Sequence, residues 1–225
     1  MQFQGPPPIS PVDRVRDAWS RRAETDYIFN FWTALGWTVL TIGIYGFYVF
    51  YRLMGRMRDH NARRLELLEA SMDFAWNEAG RRGLQEELMP SFQSAAQYLA
   101  VLRQMTSDFR EPVIWVILAV VARGLAEIVG FVLLDQDLVK HDTAEVGLEY
   151  ELSVLYGRLG QNVPPPDPSR VKGKDNYVGR IVATICSLGI YMLWWFYNQM
   201  EEPNKHFRTN WVQEDALVSA VRALC

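Results

Sequence analysis

Two ionisable residues, Arg123 and Glu127, stand near the middle of an otherwise apolar stretch at 112–134. Their spacing of four puts both on one helix face, a turn apart, where each can neutralise the other. An arginine at mid-bilayer depth costs on the order of 2.5–3.5 kcal/mol on insertion scales, so such a pair marks a functional or pairing contact by default. Beside it runs a stripe of small residues, Ala119, Ala122, Ala126 and Gly130, which lets another helix approach closely. Three uses stay open: an internal salt bridge, an intramembrane contact with a partner subunit, or an ion or proton relay.

Other chemistry is sparse. No Ser-His-Asp arrangement, HExxH or Gly-rich phosphate loop is present, so neither a catalytic residue nor a cofactor site is expected and the chain does not read as an enzyme. His60 and His206 hold matching positions in the repeat described below, but no second ligand at a recognisable spacing accompanies them, and no metal site is expected. Cys186 and Cys225 supply neither a disulfide framework nor a CxxC clip. A net charge of −3, with basic residues interleaved among acids, gives no footprint for nucleic acid.

The elements that would position these residues follow from how the charges are segregated. Averages of 22% charged residues and a mean hydropathy of −0.08 conceal three apolar runs, 27–51, 112–134 and 177–197, with the charges expelled between them. At ~1.5 Å per residue the first run reaches roughly 37 Å, more than the ~30 Å hydrocarbon thickness. The pattern predicts an all-α integral membrane protein with three transmembrane helices, multi-pass in the bacterial plasma (inner) membrane. Arg52, Arg56, Arg58, Arg63 and Arg64 follow the first run and favour a cytoplasmic 52–111.

Between the runs, residues 1–26 form a proline-rich extension and a short helix. That helix either lies on the membrane surface, with Trp19 in the headgroup layer, or is a solvated lead-in. The 52–111 segment reads as an extramembrane helical hairpin with a break at Pro90, 135–160 as an amphipathic helix, 161–176 as a Pro-rich linker and 198–225 as a C-terminal amphipathic helix.

Residues 38–51 and 184–197 align without a gap, sharing Thr38/Thr184, Gly43/Gly189, Ile44/Ile190, Tyr45/Tyr191, Phe50/Phe196 and Tyr51/Tyr197. With one crossing between them, the copies run in the same direction and form a parallel internal repeat. Gly43 and Gly189 are read as close-packing points and Tyr45 and Tyr191 as interface anchors, with 112–134 as an unrepeated helix between the copies.

The Thr-x-Gly-Ile-Tyr-x-x-Tyr-x-x-Tyr-Arg pattern at 41–52 resembles a bacterial membrane domain family of unknown function, in which a charged helix follows the motif. The second copy departs from it at Leu193 and Asn198. The chain is also similar to the lipid-uptake-coordinator type of accessory subunit found with mycobacterial Mce lipid transporters. These resemblances imply membrane location, membrane lipid and other integral membrane subunits, such as an Mce-type permease, as partners, and no catalysis. The expected function is a non-enzymatic accessory or assembly subunit of a larger membrane complex. The alternative is a small channel or transporter that homo-oligomerises around Arg123 and Glu127.

Overall fold

A computed structural model describes residues 9–173 and 175–225. Most of the proline-rich start expected over 1–11 lies outside the described residues. Among them are nine α-helices and no strand: α1 (Pro11–Ser20), α2 (Arg22–Thr25), α3 (Phe31–Leu40), α4 (Ile44–Arg81), α5 (Gln85–Ser107), α6 (Pro112–Val121), α7 (Leu125–Arg158), α8 (Tyr177–Cys186) and α9 (Ile190–Leu224).

The expected three transmembrane helices are not formed. No described helix is long and apolar enough to cross a membrane, so the multi-pass placement, its orientation and the integral transmembrane fold are all overturned. The physical reason is a break inside each apolar run, at 41–43, 122–124 and 187–189. Gly43 has φ +89°, Gly124 +86° and Gly189 +89°, a left-handed region that glycine enters without steric cost. Ile42 and Leu188 adopt φ near +50° just before two of these glycines. Each run is thereby cut into a 10-residue helix, about 15 Å long, and the first turns of a much longer one.

The short helices double back. Trp37 of α3 lies 6.4 Å from Tyr45 of α4 between ring centroids, and Arg180 of α8 lies 5.2 Å over the Trp194 ring of α9. The Thr/Ser-x-Gly-Ile-Tyr motif is thus a turn signature. Thr41 Oγ1 accepts the Tyr45 amide at 2.9 Å and Ser187 Oγ accepts the Tyr191 amide at 2.9 Å, while Gly43 and Gly189 donate back to Thr38 and Thr184 carbonyls.

The middle segment is a third copy of the same unit. Thirteen residues separate the N-cap positions Asn30, Glu111 and Asn176 from Gly43, Gly124 and Gly189. Seven residues past each glycine stand Phe50, Phe131 and Phe196, whose rings meet at 6.1 and 6.2 Å. The long helices absorb segments that the sequence reading kept separate: α4 runs from 44 through 81, and α7 joins the second apolar run to the amphipathic helix after it. Pro90 lies inside α5 instead of breaking it.

Along these helices the core has three levels. One apolar cluster, including Phe50, Met54, Phe131 and Trp195, fills the space between the hairpins. A second, including Leu67, Phe74, Leu99, Leu148 and Leu217, fills the body formed with α1 and α5. A buried polar layer separates them. Helix α1 packs into the body through Val15 and Ala18, and Trp19 donates to Asp215 at 2.7 Å, so that helix is neither a membrane-surface helix nor a solvated lead-in.

Candidate functional site

The polar layer is centred on three histidines, one from each copy. His60, His141 and His206 lie seventeen residues past Gly43, Gly124 and Gly189, on α4, α7 and α9. All are buried, and their ring centroids form a near-equilateral triangle with sides of 5.7, 5.1 and 5.4 Å. Each offers a ring nitrogen within 4.8 Å of the others.

Their outer sides are held by carboxylates. Asp26 Oδ1 is 2.9 Å from His60 Nδ1, and Asp142 Oδ1 is 2.6 Å from His206 Nδ1. Inside the triangle, His60 Nε2 faces His206 Nε2 at 3.2 Å. Glu145 Oε2 lies 3.7 Å from His141 Nε2 and 3.8 Å from His206 Nε2. Neither ring nitrogen of His141 has a hydrogen-bond partner.

One helical turn beyond the histidines, the copies carry Arg64, Glu145 and Asn210, which bond to one another across the axis. Arg64 binds Glu145 and Glu149 and reaches Glu214 at 3.3 Å; Asn210 donates to Glu145 at 3.0 Å. Arg63 pairs with Asp26 at 2.8 Å and Glu214 at 2.9 Å, and Arg170 from the linker pairs with Glu149 at 2.9 Å. Four buried carboxylates (Asp26, Glu145, Glu149, Glu214) are thus joined to three guanidiniums (Arg63, Arg64, Arg170), while Asp142 meets only His206.

Titration behaviour follows the surroundings. Burial alone would raise the Asp26 carboxyl, but His60, Arg63 and the Trp211 indole hold it well below the usual carboxylate range. Burial pushes His141 down to about 3, helped by His206 and His60. Burial opposes protonation of His206 too, but Asp142 and Glu145 outweigh it and raise that group. Burial and the neighbouring Glu145 lift Glu149 to about 7.

The residues singled out in the sequence lie elsewhere, at the hairpin end. Arg123 is exposed at the α6–α7 turn instead of buried mid-span, with its guanidinium 5.6 Å over the Phe47 ring. Glu127 accepts the Gly124 amide at 2.6 Å, and no ion pair joins it to Arg123 among the described residues. Both line a 210 Å³ cavity between the three hairpins, with Gly43, Phe47 and Met192. The small-residue stripe packs within the chain: a Cβ on Gly130 would sit 2.6 Å from Phe50 Cζ, and Ala119 and Ala126 are buried. Gly43 and Gly189 make the turns, and Tyr45 and Tyr191 pack on Tyr48 and Trp194 at 5.2 and 5.1 Å. Arg180, at the start of the third apolar run, is buried against Asp135 at 3.0 Å and Asp175 at 2.6 Å.

Sequence reasoning missed His141. The signal was its distance from Gly124, hidden because the middle copy reads Ala122-Arg123-Gly124-Leu125-Ala126 where the others read Thr/Ser-x-Gly-Ile-Tyr.

Fold and site together define an all-α protein of three helical hairpins assembled around a buried histidine centre. No protein-family model matches the chain, and neither a curated protein nor a solved structure does.

Proposed function

We propose that the chain is a non-enzymatic docking module that seats its three hairpin ends in one leaflet of a lipid bilayer, without crossing it. The observation that carries this reading is the exposure of large apolar side chains at the hairpin turns. Ile42 is 89% exposed, Val121 81% and Leu188 95%, and Trp37 and Trp194 are exposed nearby. Contiguous apolar surface on this scale marks an interaction face.

The dimensions favour lipid. A 10-residue helix reaches about 15 Å, half of the ~30 Å hydrocarbon core. Running back from the turns, the first charged residue on α4 is Arg52 and on α9 Glu201, while α7 reaches Asp135 after Glu127. The charge-free depth therefore matches one leaflet. Arg123 is the exception at a turn, and its guanidinium is directed over Phe47 beside the central cavity. The polar body stays in water, free to serve the accessory role that the resemblance implies.

Flotation of the full chain with phosphatidylcholine vesicles tests this. Wild type is expected to co-float in high salt, with its tryptophans quenched by brominated acyl chains. An Ile42→Asp, Leu188→Asp double variant should lose binding by at least about a thousandfold, because carboxylates in hydrocarbon cost ~2.5–3.5 kcal/mol each. Wild type remaining in the dense fraction overturns the reading.

A further inference from the structure

The buried histidine triangle carries an inference independent of lipid docking. His60 Nδ1 is hydrogen-bonded to Asp26 and His206 Nδ1 lies 2.6 Å from Asp142, so that a proton on Nδ1 leaves Nε2 as the lone-pair atom of each neutral ring. Those two Nε2 atoms nevertheless face one another at 3.2 Å. Asn210 places its amide nitrogen 3.1 Å from His206 Nε2 and 3.0 Å from Glu145, which occupies its two N–H groups. His141 is left with two unpartnered nitrogens in a fully buried place, a costly arrangement for polar atoms.

We propose that His60, His141 and His206 bind a single divalent first-row transition-metal ion, zinc foremost, with Glu145 as the fourth ligand. A tetrahedral zinc with bonds of 2.0–2.1 Å has ligand-to-ligand edges of about 3.3 Å. The His60–His206 separation of 3.2 Å already matches that edge, the three histidines each offer a nitrogen within 4.8 Å of the others, and Glu145, at 3.7 and 3.8 Å from His141 and His206, would move inward to complete the set. Asp26 and Asp142 then act as outer-shell acceptors that orient the imidazoles and raise their basicity, as such carboxylates do in histidine–metal sites.

Three imidazoles select against magnesium and calcium, which take oxygen ligands, and favour zinc, nickel, copper or iron. Four protein ligands with no exposed member make a closed site of the structural kind. Its work is to tie α4, α7 and α9 together where the apolar hairpins meet the body. The metal therefore sets how rigidly the three hairpins are held relative to one another.

The test uses the full chain without a polyhistidine tag. Elemental analysis after purification from metal-replete medium should find about one transition-metal ion per chain, removable by a chelator with a fall in thermal midpoint. Cobalt(II) added to the chelated protein should give the intense visible bands of a tetrahedral site. His141→Ala is the decisive variant, because this side chain has no hydrogen bond to lose; it should weaken cobalt and zinc binding at least about a hundredfold while the helical circular dichroism persists. Should that variant misfold, Glu145→Gln supplies the second reading, with an altered cobalt spectrum. Metal-free wild type that gives no tetrahedral cobalt spectrum overturns the proposal. So does metal retained equally by wild type and His141→Ala. Neither result depends on vesicle binding, and loss of flotation leaves this site standing.

Discussion

The first and third hairpins share the Thr/Ser-x-Gly-Ile-Tyr motif, whereas the middle one keeps only the glycine of that motif, yet all three reverse the chain at a glycine of positive φ. In the outer two, a hydroxyl at Thr41 or Ser187 accepts a helix amide. In the middle one, Ala122 stands in that place and Glu127 reaches back to the Gly124 amide. The turn therefore requires a left-handed glycine and some acceptor for an orphan N–H, and the acceptor can come from either side of the glycine. Deeper in the bundle the copies diverge in a complementary way. One turn past the histidines they carry a cation, an anion and a neutral amide, where three like charges around a common axis would repel.

The largest expected effect breaks that complementarity. Arg64→Leu removes the cation of the three and leaves Glu145 and Glu149 buried with Arg170 as their remaining arginine. Urea unfolding should show a loss of about 3–5 kcal/mol, the cost of stranding buried charges. Next comes the close approach of the middle copy to the first. Gly130→Ala drives a methyl group into Phe50 and Met54 and should cost about 1–3 kcal/mol by the same measurement.

The turn itself is sharpened by a matched set, Gly43→Ala, Gly124→Ala and Gly189→Ala. A Cβ in the left-handed region costs about 1–2 kcal/mol, and the space around Gly124 and Gly189 is open. Those two variants should be destabilised equally, with Gly43→Ala at least as much, since its Cβ meets the Arg123 guanidinium. Unequal losses at Gly124 and Gly189 would show that the middle turn differs in kind. The smallest effect separates the two capping devices. Thr41→Ala, Ser187→Ala and Glu127→Ala should each cost about 1 kcal/mol, and Ala122→Ser should recover part of the Glu127→Ala loss.

The helical content was legible in the stripes Leu65, Leu68, Met72 and Leu148, Leu152, Leu155, which α4 and α7 bury or half-bury in the body. The breaks in the apolar runs were not. Hydropathy reports how apolar a segment is and nothing of its direction, so a glycine inside a run reads as a packing point in a continuous helix. The Thr/Ser-x-Gly spacing held the information, as a helix end followed by a helix start. Partners in the polar layer were illegible for another reason: Arg64 and Glu145 are 81 residues apart, and each alone resembles a solvated charge on a helix. Asp26, which backs His60, comes from the segment between α2 and α3, where nothing local marks it.

The equal lengths of the three units impose a rule on how the chain can change. Each residue inserted into an α-helix rotates everything beyond it by about 100° and advances it about 1.5 Å. A single insertion between Gly124 and His141 would swing that imidazole off the shared axis and carry Glu145 with it, though every side chain were retained. Drift in composition between the hairpins is therefore tolerated, as the middle copy demonstrates, while their length is fixed like the teeth of meshed gears.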